Sequence, residues 1–222
     1  MRSRIILKFD EVTIIHMKKT LLLSALLVIF VSGCVSEQGG PVKISEIANG
    51  GDDGGVSILT AFLPSRSGFI ISQMEEITVG TMQSGGGDNL LGRALYRFYI
   101  PNWTNTDLTL HLKCTHIFGA PGPLDIYVVD DFGDLSTVAD NPIDVSDYWD
   151  LVNSGTKVST LSPSEGWFEV NISNSTVASH LSNGYLAIMV KLSNEDVQTN
   201  NFYMLSAYEY AQSRGDQKPY LT

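Results

Sequence analysis

Arg93, Arg97 and Tyr99 alternate along one stretch of the chain, and His111, Lys113 and Thr115 alternate along the next. A strand period of two puts each trio on one face. The guanidinium groups can fork onto carboxylates, and the tyrosine ring offers a flat apolar surface. Together these chemistries suit an acidic sugar, whose ring stacks on an aromatic while its carboxylate meets arginine. If the two stretches pair in a sheet, Arg93, Arg97, Tyr99, His111 and Lys113 form one ligand-binding surface. Trp103 and Trp167 are further rings for stacking, with core or rim packing as the competing role. The competing role of the cations is charge balance against Asp and Glu on neighbouring strands.

A second group is acidic. Asp130, Asp131, Asp134, Asp140, Asp144, Asp147 and Asp150 fall within one connection. Calcium takes six to eight oxygen ligands, so Asp130, Asp131 and Asp134 are the first candidates for a calcium site. Their spacing is not that of a calcium-binding helix–loop–helix, and aspartate also favours turns and caps. Catalytic patterns are absent: the chain has no G-x-S-x-G elbow, H-E-x-x-H pair or phosphate loop. A non-catalytic protein is the expectation, and calcium the one cofactor the acidic loop could hold. Cys114, alternating with Leu110 and Leu112, reads as a small buried hydrophobe.

Export is written at the other end of the chain. Lys18 and Lys19 precede an apolar run that closes on Val31, Ser32, Gly33 and Cys34. A basic start, a short apolar segment and small residues before the cut make a secretory signal. A cysteine immediately after the cut is the mark of a lipobox, so Cys34 is the expected lipidation site. The run is shorter than the ~20 residues a membrane-spanning helix needs. Anchoring would come instead from acyl chains, at ~0.8 kcal/mol per buried CH₂. Residues 1–16 carry Asp10 and Glu11 and fit no signal peptide. Codons for Glu11, Val12 and Thr13 resemble a ribosome-binding site ahead of Met17, which points to 1–16 as a mis-assigned start. The expected organisation is a signal region over 1–33, with the lipoprotein signal peptide at 17–33. A lipid-anchored cysteine and a Gly- and Asp-rich flexible tether follow over 34–56, then one domain over 57–222. The expected address is the outer face of the cell membrane.

Loss of 1–33 removes five of the 14 basic and two of the 24 acidic side chains, leaving 9 and 22. The formal charge moves from −10 to −13. Such a chain repels nucleic acid, whose binding depends on lysine and arginine neutralising phosphates. It gains nothing from anionic lipid headgroups either. In an exported protein the sequons at Asn102, Asn171 and Asn174 are candidate glycosylation sites.

The elements that must position these residues are short strands. Alternation or β-type composition marks 58–63, 68–72, 77–81, 93–100, 108–117, 124–129, 167–172, 185–192 and 202–210, with turn residues between. Two short helices interrupt them. One starts at Asp147 with Ser146 as its cap; the other covers 175–182, capped by Ser173 or Asn174. The fold class is all-β, a single antiparallel jelly-roll-like sandwich with one or two short connecting helices.

The order of landmarks is itself informative. Arg93, Ala94, Leu95, Tyr96, Arg97 and Phe98 follow a strand ending in Gly80. Leu108 to Leu112 reads L-T-L-H-L, and Asp125 to Phe132 reads D-I-Y-V-V-D-D-F. Trp167, Phe168, Glu169 and Val170 precede a helix, and 202–209 is closed by Lys218, Pro219, Tyr220 and Leu221. This ordered set resembles the DNRLRE-type modules related to disaggregatases, over about residue 57 to the end. The eponymous run is missing and Phe132 stands where those modules have tryptophan. The resemblance implies a jelly-roll carbohydrate-binding module of the kind appended to surface proteins. The function expected is thus a lipid-anchored, non-catalytic surface module that binds polysaccharide. The alternative is an envelope-structural component with a protein partner and no glycan ligand.

Overall fold

Leu108, Leu110, Leu112 and Cys114 alternate with polar neighbours, and in the computed structural model all four are buried on one side of a strand. Ala94, Tyr96 and Phe98 of another strand are buried on one side too, with Ile100 just past its end. The structure describes residues 42–60, 67–83, 89–138, 143–195 and 200–222. Within its compact unit, Lys43–Thr222, lie β1 (Ser45–Glu46), β2 (Asp53–Leu59), β3 (Ser67–Ser72), β4 (Glu76–Gln83) and β5 (Asn89–Tyr99). Then come β6 (Leu108–Phe118), β7 (Leu124–Val129), β8 (Ile143–Asp144), β9 (Thr156–Leu161) and β10 (Gly166–Ile172). β11 (Tyr185–Leu192), β12 (Asn201–Ser206) and β13 (Tyr220–Leu221) complete the strands. The helices are α1 (Ser146–Trp149), α2 (Leu151–Ser154), α3 (Asn174–His180) and α4 (Tyr208–Arg214).

Every strand pairing is antiparallel. One layer runs β4–β12–β6–β10 and the other β5–β11–β7–β9, with the β4–β5 hairpin linking them. Most consecutive strands therefore sit in opposite layers, the jelly-roll order. Ile77, Val79, Leu110, Leu112, Tyr203 and Leu205 from the first layer pack with Ala94, Tyr96, Ile126, Val128, Ile188 and Val190 from the second. The outer face of the second layer is covered too. There Leu95, Ala187, Met189 and Val129 pack under Val56, Ile58, Ile70, Leu135, Val145 and Trp149.

The structure corrects the sequence reading in several places. The domain begins at Lys43 rather than residue 57, so 43–56 is not a tether. β1 pairs with β13, Ile47 is buried, and β2 runs between β3 and β5. Glycine here serves close packing rather than flexibility. A Cβ on Gly54 would collide with the Ile71 carbonyl, and one on Gly51 with the Asp134 carboxylate. The segment 202–210 is a strand only to Ser206, where Ala207 leads into α4. Ser146 is the first residue of α1, whose cap is Val145 with no side-chain bond. Ser173 does cap α3, accepting from the Thr176 N–H. Residues 1–41, including the signal region and Cys34, lie outside the described residues.

Folding 43–56 into the sandwich buries Asp53 completely. One carboxylate oxygen accepts from the Tyr208 N–H at 2.7 Å, and the other has no partner. Burial, with Glu209 and Asp52 adding like charge, holds its pKa well above the usual 3.8. The folded chain thus keeps a proton that the unfolded chain releases, and this contribution to stability fades as pH climbs above about 4. Asp53→Asn is expected to flatten the decline in stability above that pH. Urea titrations of both proteins at a series of pH values check this; parallel curves would mean that Asp53 is ionised in the fold.

Candidate functional site

The two trios identified in the sequence do not form one surface. β5 pairs with β4, β11 and β2, whereas β6 pairs with β10, β12 and β13. The chain crosses the sandwich between them, so Arg93, Arg97 and Tyr99 belong to a different layer from His111 and Lys113. Nor are the two arginines free. Arg93 is buried, with Nε and Nη2 each 2.7 Å from a Glu195 carboxylate oxygen. Its Nη1 donates to the Trp149 carbonyl at 2.6 Å, and its guanidinium lies 3.6 Å from that ring's centroid.

Arg97 grips Asp131 through two bonds, Nε to Oδ1 at 2.6 Å and Nη2 to Oδ2 at 2.9 Å, and reaches Asp52 at 3.4 Å. Its guanidinium covers the Tyr185 ring at 3.4 Å. Tyr99 is half exposed and meets the Tyr185 ring at a 43° tilt, centroids 4.8 Å apart. The charge-balance reading is therefore the right one for both arginines.

The three candidate calcium ligands are likewise turned to separate partners. Asp130 lies 3.3 Å from His180. Asp131 is held by Arg97, whose hydrogen bonds keep its carboxyl below the usual range. Asp134 caps the 3₁₀ turn Leu135–Thr137 through the Ser136 N–H and hydroxyl. Among the described residues no three His, Cys, Asp or Glu side chains gather as a metal site.

His111 and Lys113 do meet other rings, on the outer face of the first layer. Antiparallel register places Glu169 of β10, His111 of β6, Tyr220 of β13 and Glu46 of β1 in one cross-strand row. Trp167 and Lys113 are paired in the next. The His111 and Tyr220 rings stack in parallel at 4.2 Å, and Trp167 meets Tyr220 edge-on at 5.7 Å. Lys43 lies 4.8 Å from the Tyr220 centroid. Trp167 is 38% exposed, one of few large apolar side chains open to solvent among the described residues. Around this platform, Lys113 pairs with Asp216, and Lys43 and Lys218 both reach Glu46. Burial pushes the His111 imidazole below its ordinary value, against the opposing pull of Glu169. The imidazole under Tyr220 is thus biased to its neutral, ring-stacking form.

Sequence reasoning chose His111, Lys113 and Trp167 but missed Tyr220, Lys43 and Glu46. Tyr220 and Glu46 come from β13 and β1, two-residue strands too short to show any period, and Lys43 lies just ahead of β1. Of the sequons, Asn102 and Asn171 are exposed, and Asn174 opens α3 with its amide donating to the Asn105 carbonyl at 3.4 Å. Burial lifts the Cys114 thiol to about 11, consistent with a packing residue.

Two hydroxyl–imidazole–carboxylate chains are present, Thr156–His180–Asp130 and Thr222–His111–Glu169. Both His180 nitrogens are hydrogen-bonded, whereas His111 is bonded through Nε2 and has Glu169 3.4 Å from its Nδ1. Acyl transfer would further require N–H groups converging beside the hydroxyl, and the Thr222 N–H is spent on the Thr109 carbonyl.

No protein-family model matches the chain, and no curated protein matches it. Among solved structures, the adhesin domain of Epf from Streptococcus pyogenes is similar at 11% identity and a TM-score of 0.34. That likeness covers 82% of this chain and 64% of the adhesin domain, so the chain spans just under two thirds of that domain's length. Resemblance at this level carries no functional argument.

Arg93→Ala is expected to destabilise the fold by about 2 kcal/mol, because the Trp149 carbonyl loses its donor and Glu195 keeps only Lys191, at 3.8 Å. The same change is expected to leave ligand binding on the opposite layer intact. Chemical denaturation together with a binding assay separates the two effects.

Proposed function

We propose that the chain is an exported, non-catalytic binding module, lipid-anchored through Cys34 at the outer face of the cell membrane, that holds polysaccharide on the face built by β10, β6, β13 and β1. The observation that carries this reading is the ring platform of Trp167, Tyr220 and His111, flanked by Lys43 and Lys113. A pyranose presents an apolar face of C–H groups, which packs on an aromatic ring, and a rim of hydroxyls, which bond to charged side chains at the edge. A half-exposed tryptophan on an outer sheet face meets the first requirement. Lysines and glutamates in the adjacent rows meet the second. The resemblance to DNRLRE-type modules points to the same ligand class.

The alternative, a protein-binding envelope component, has one observation in its favour. Among the described residues, β9 and β10 are each hydrogen-bonded along one side only. An unpaired edge is a template for another chain's strand. Lys157, half exposed on β9, works against such pairing.

Trp167→Ala and Tyr220→Ala are each expected to weaken polysaccharide retention roughly tenfold, the effect of about 1.4 kcal/mol. Affinity-gel electrophoresis of the full chain against a panel of neutral and acidic polysaccharides measures this. Tyr99→Ala, on the other layer, is the control and is expected to bind like the parent. Equal retention of all variants would put the ligand elsewhere and favour the protein-binding alternative.

A further inference from the structure

We infer that the glycan is anionic and that Arg214 reads its carboxylates, an inference that rests on the glycan reading above. Nearly every other cation of the domain is already matched by a carboxylate. Among the described residues, Arg93 and Lys191 are paired with Glu195, and Arg97 with Asp131 and Asp52. Lys113 is paired with Asp216, Lys157 with Asp125, and Lys43 and Lys218 with Glu46. Arg214 alone of the described lysines and arginines has no carboxylate beside it. In a chain of formal charge −10, such a residue is exceptional, because carboxylates outnumber cations.

Its surroundings keep it that way. Arg214 ends α4, and Gly215 then turns the chain through a left-handed conformation, φ 65°. The Gly215 and Asp216 N–H groups both return to the Ala211 carbonyl, which fixes the helix end. Asp216 is the nearest acid in sequence, but its carboxylate is spent on Lys113 and the Gln217 N–H. The Arg214 guanidinium instead lies 4.6 Å from the centroid of Tyr210, a ring that Lys113 also approaches at 5.4 Å. Two cations thus share one ring with a single carboxylate between them. Lys113 stands in register with Trp167, so this local positive excess adjoins the ring platform. A uronate stacked on the platform would find in Arg214 an exposed planar fork that is free to make the bidentate bond.

The test is affinity electrophoresis of the full chain and its Arg214→Ala variant, run against polygalacturonate and dextran. Tighter retention by polygalacturonate is expected, with a loss of roughly tenfold or more in Arg214→Ala, the range for a hydrogen bond to a charged group. Arg214→Lys, which keeps the charge but not the fork, is expected to recover only part of that loss. Binding to dextran that equals binding to polygalacturonate, unchanged in Arg214→Ala, would overturn the anionic assignment while leaving the glycan reading in place. Retention by neither polymer nor by any other glycan in the panel would remove both. A circular-dichroism melt of each variant confirms that the fold survives.

Discussion

Strand β5 is buried on both faces, and much of the molecule follows from that constraint. Its even-numbered residues, Ala94, Tyr96 and Phe98, fill the space between the layers, and Leu91 and Leu95 fill a second core outside. Arg93 and Arg97 share the side of Leu95. They can occupy a covered face only if their charges are matched, since an unpaired buried ion costs several kcal/mol. The connections that cover this side bring the matching groups. Glu195 and Trp149 reach Arg93, and Asp131, Asp52 and Tyr185 reach Arg97. Each guanidinium thereby ties the central strand to segments far away in sequence.

The same constraint explains the acidic connection after β7. Its aspartates look like a loop assembled around an ion, yet the first three play separate structural parts. Asp131 neutralises an arginine, Asp134 starts a 3₁₀ turn, and Asp130 orients a buried histidine. The Gly- and Asp-rich segment before β2 behaves likewise. Asp52 contributes to the Arg97 cluster, and Gly51 and Gly54 let the segment lie against Asp134 and β3 without a clash. Composition alone cannot distinguish a flexible glycine segment from one that packs closely. The difference lies in what surrounds the missing Cβ.

Alternation made the main strands legible, two of them to the residue: 124–129 and 185–192 coincide with β7 and β11. It also identified which side of β6 is buried. Two things were out of reach. Strand β9, TKVSTL, is largely polar because it is an edge, and β1, β8 and β13 are too short to have a period. Register between layers was the larger loss. Periodicity shows which residues share a strand face, but only topology shows which strands are neighbours. In a jelly roll, successive strands often cross to the opposite layer. The grouping of Arg93, Arg97 and Tyr99 with His111 and Lys113 failed on that point alone.

The two layers of this sandwich are unequal, and the inequality decides which outer face keeps side chains open to solvent. The outer face of β5, β11 and β7 is occupied by the chain itself, through β2, β3, α1 and the 3₁₀ turn, and its charged side chains are committed to one another. Among the described residues, the outer face of β6 and β10 is flanked by β1, β13 and α4, and there an aromatic ring remains open to solvent. Trp167 is open to solvent on that face and meets the edge of Tyr220, which is partly covered and stacks on the buried His111. With rings aligned by strand register and lysines already paired with carboxylates, little side-chain freedom remains on that face, so a flat ligand packing there would incur a small ordering cost.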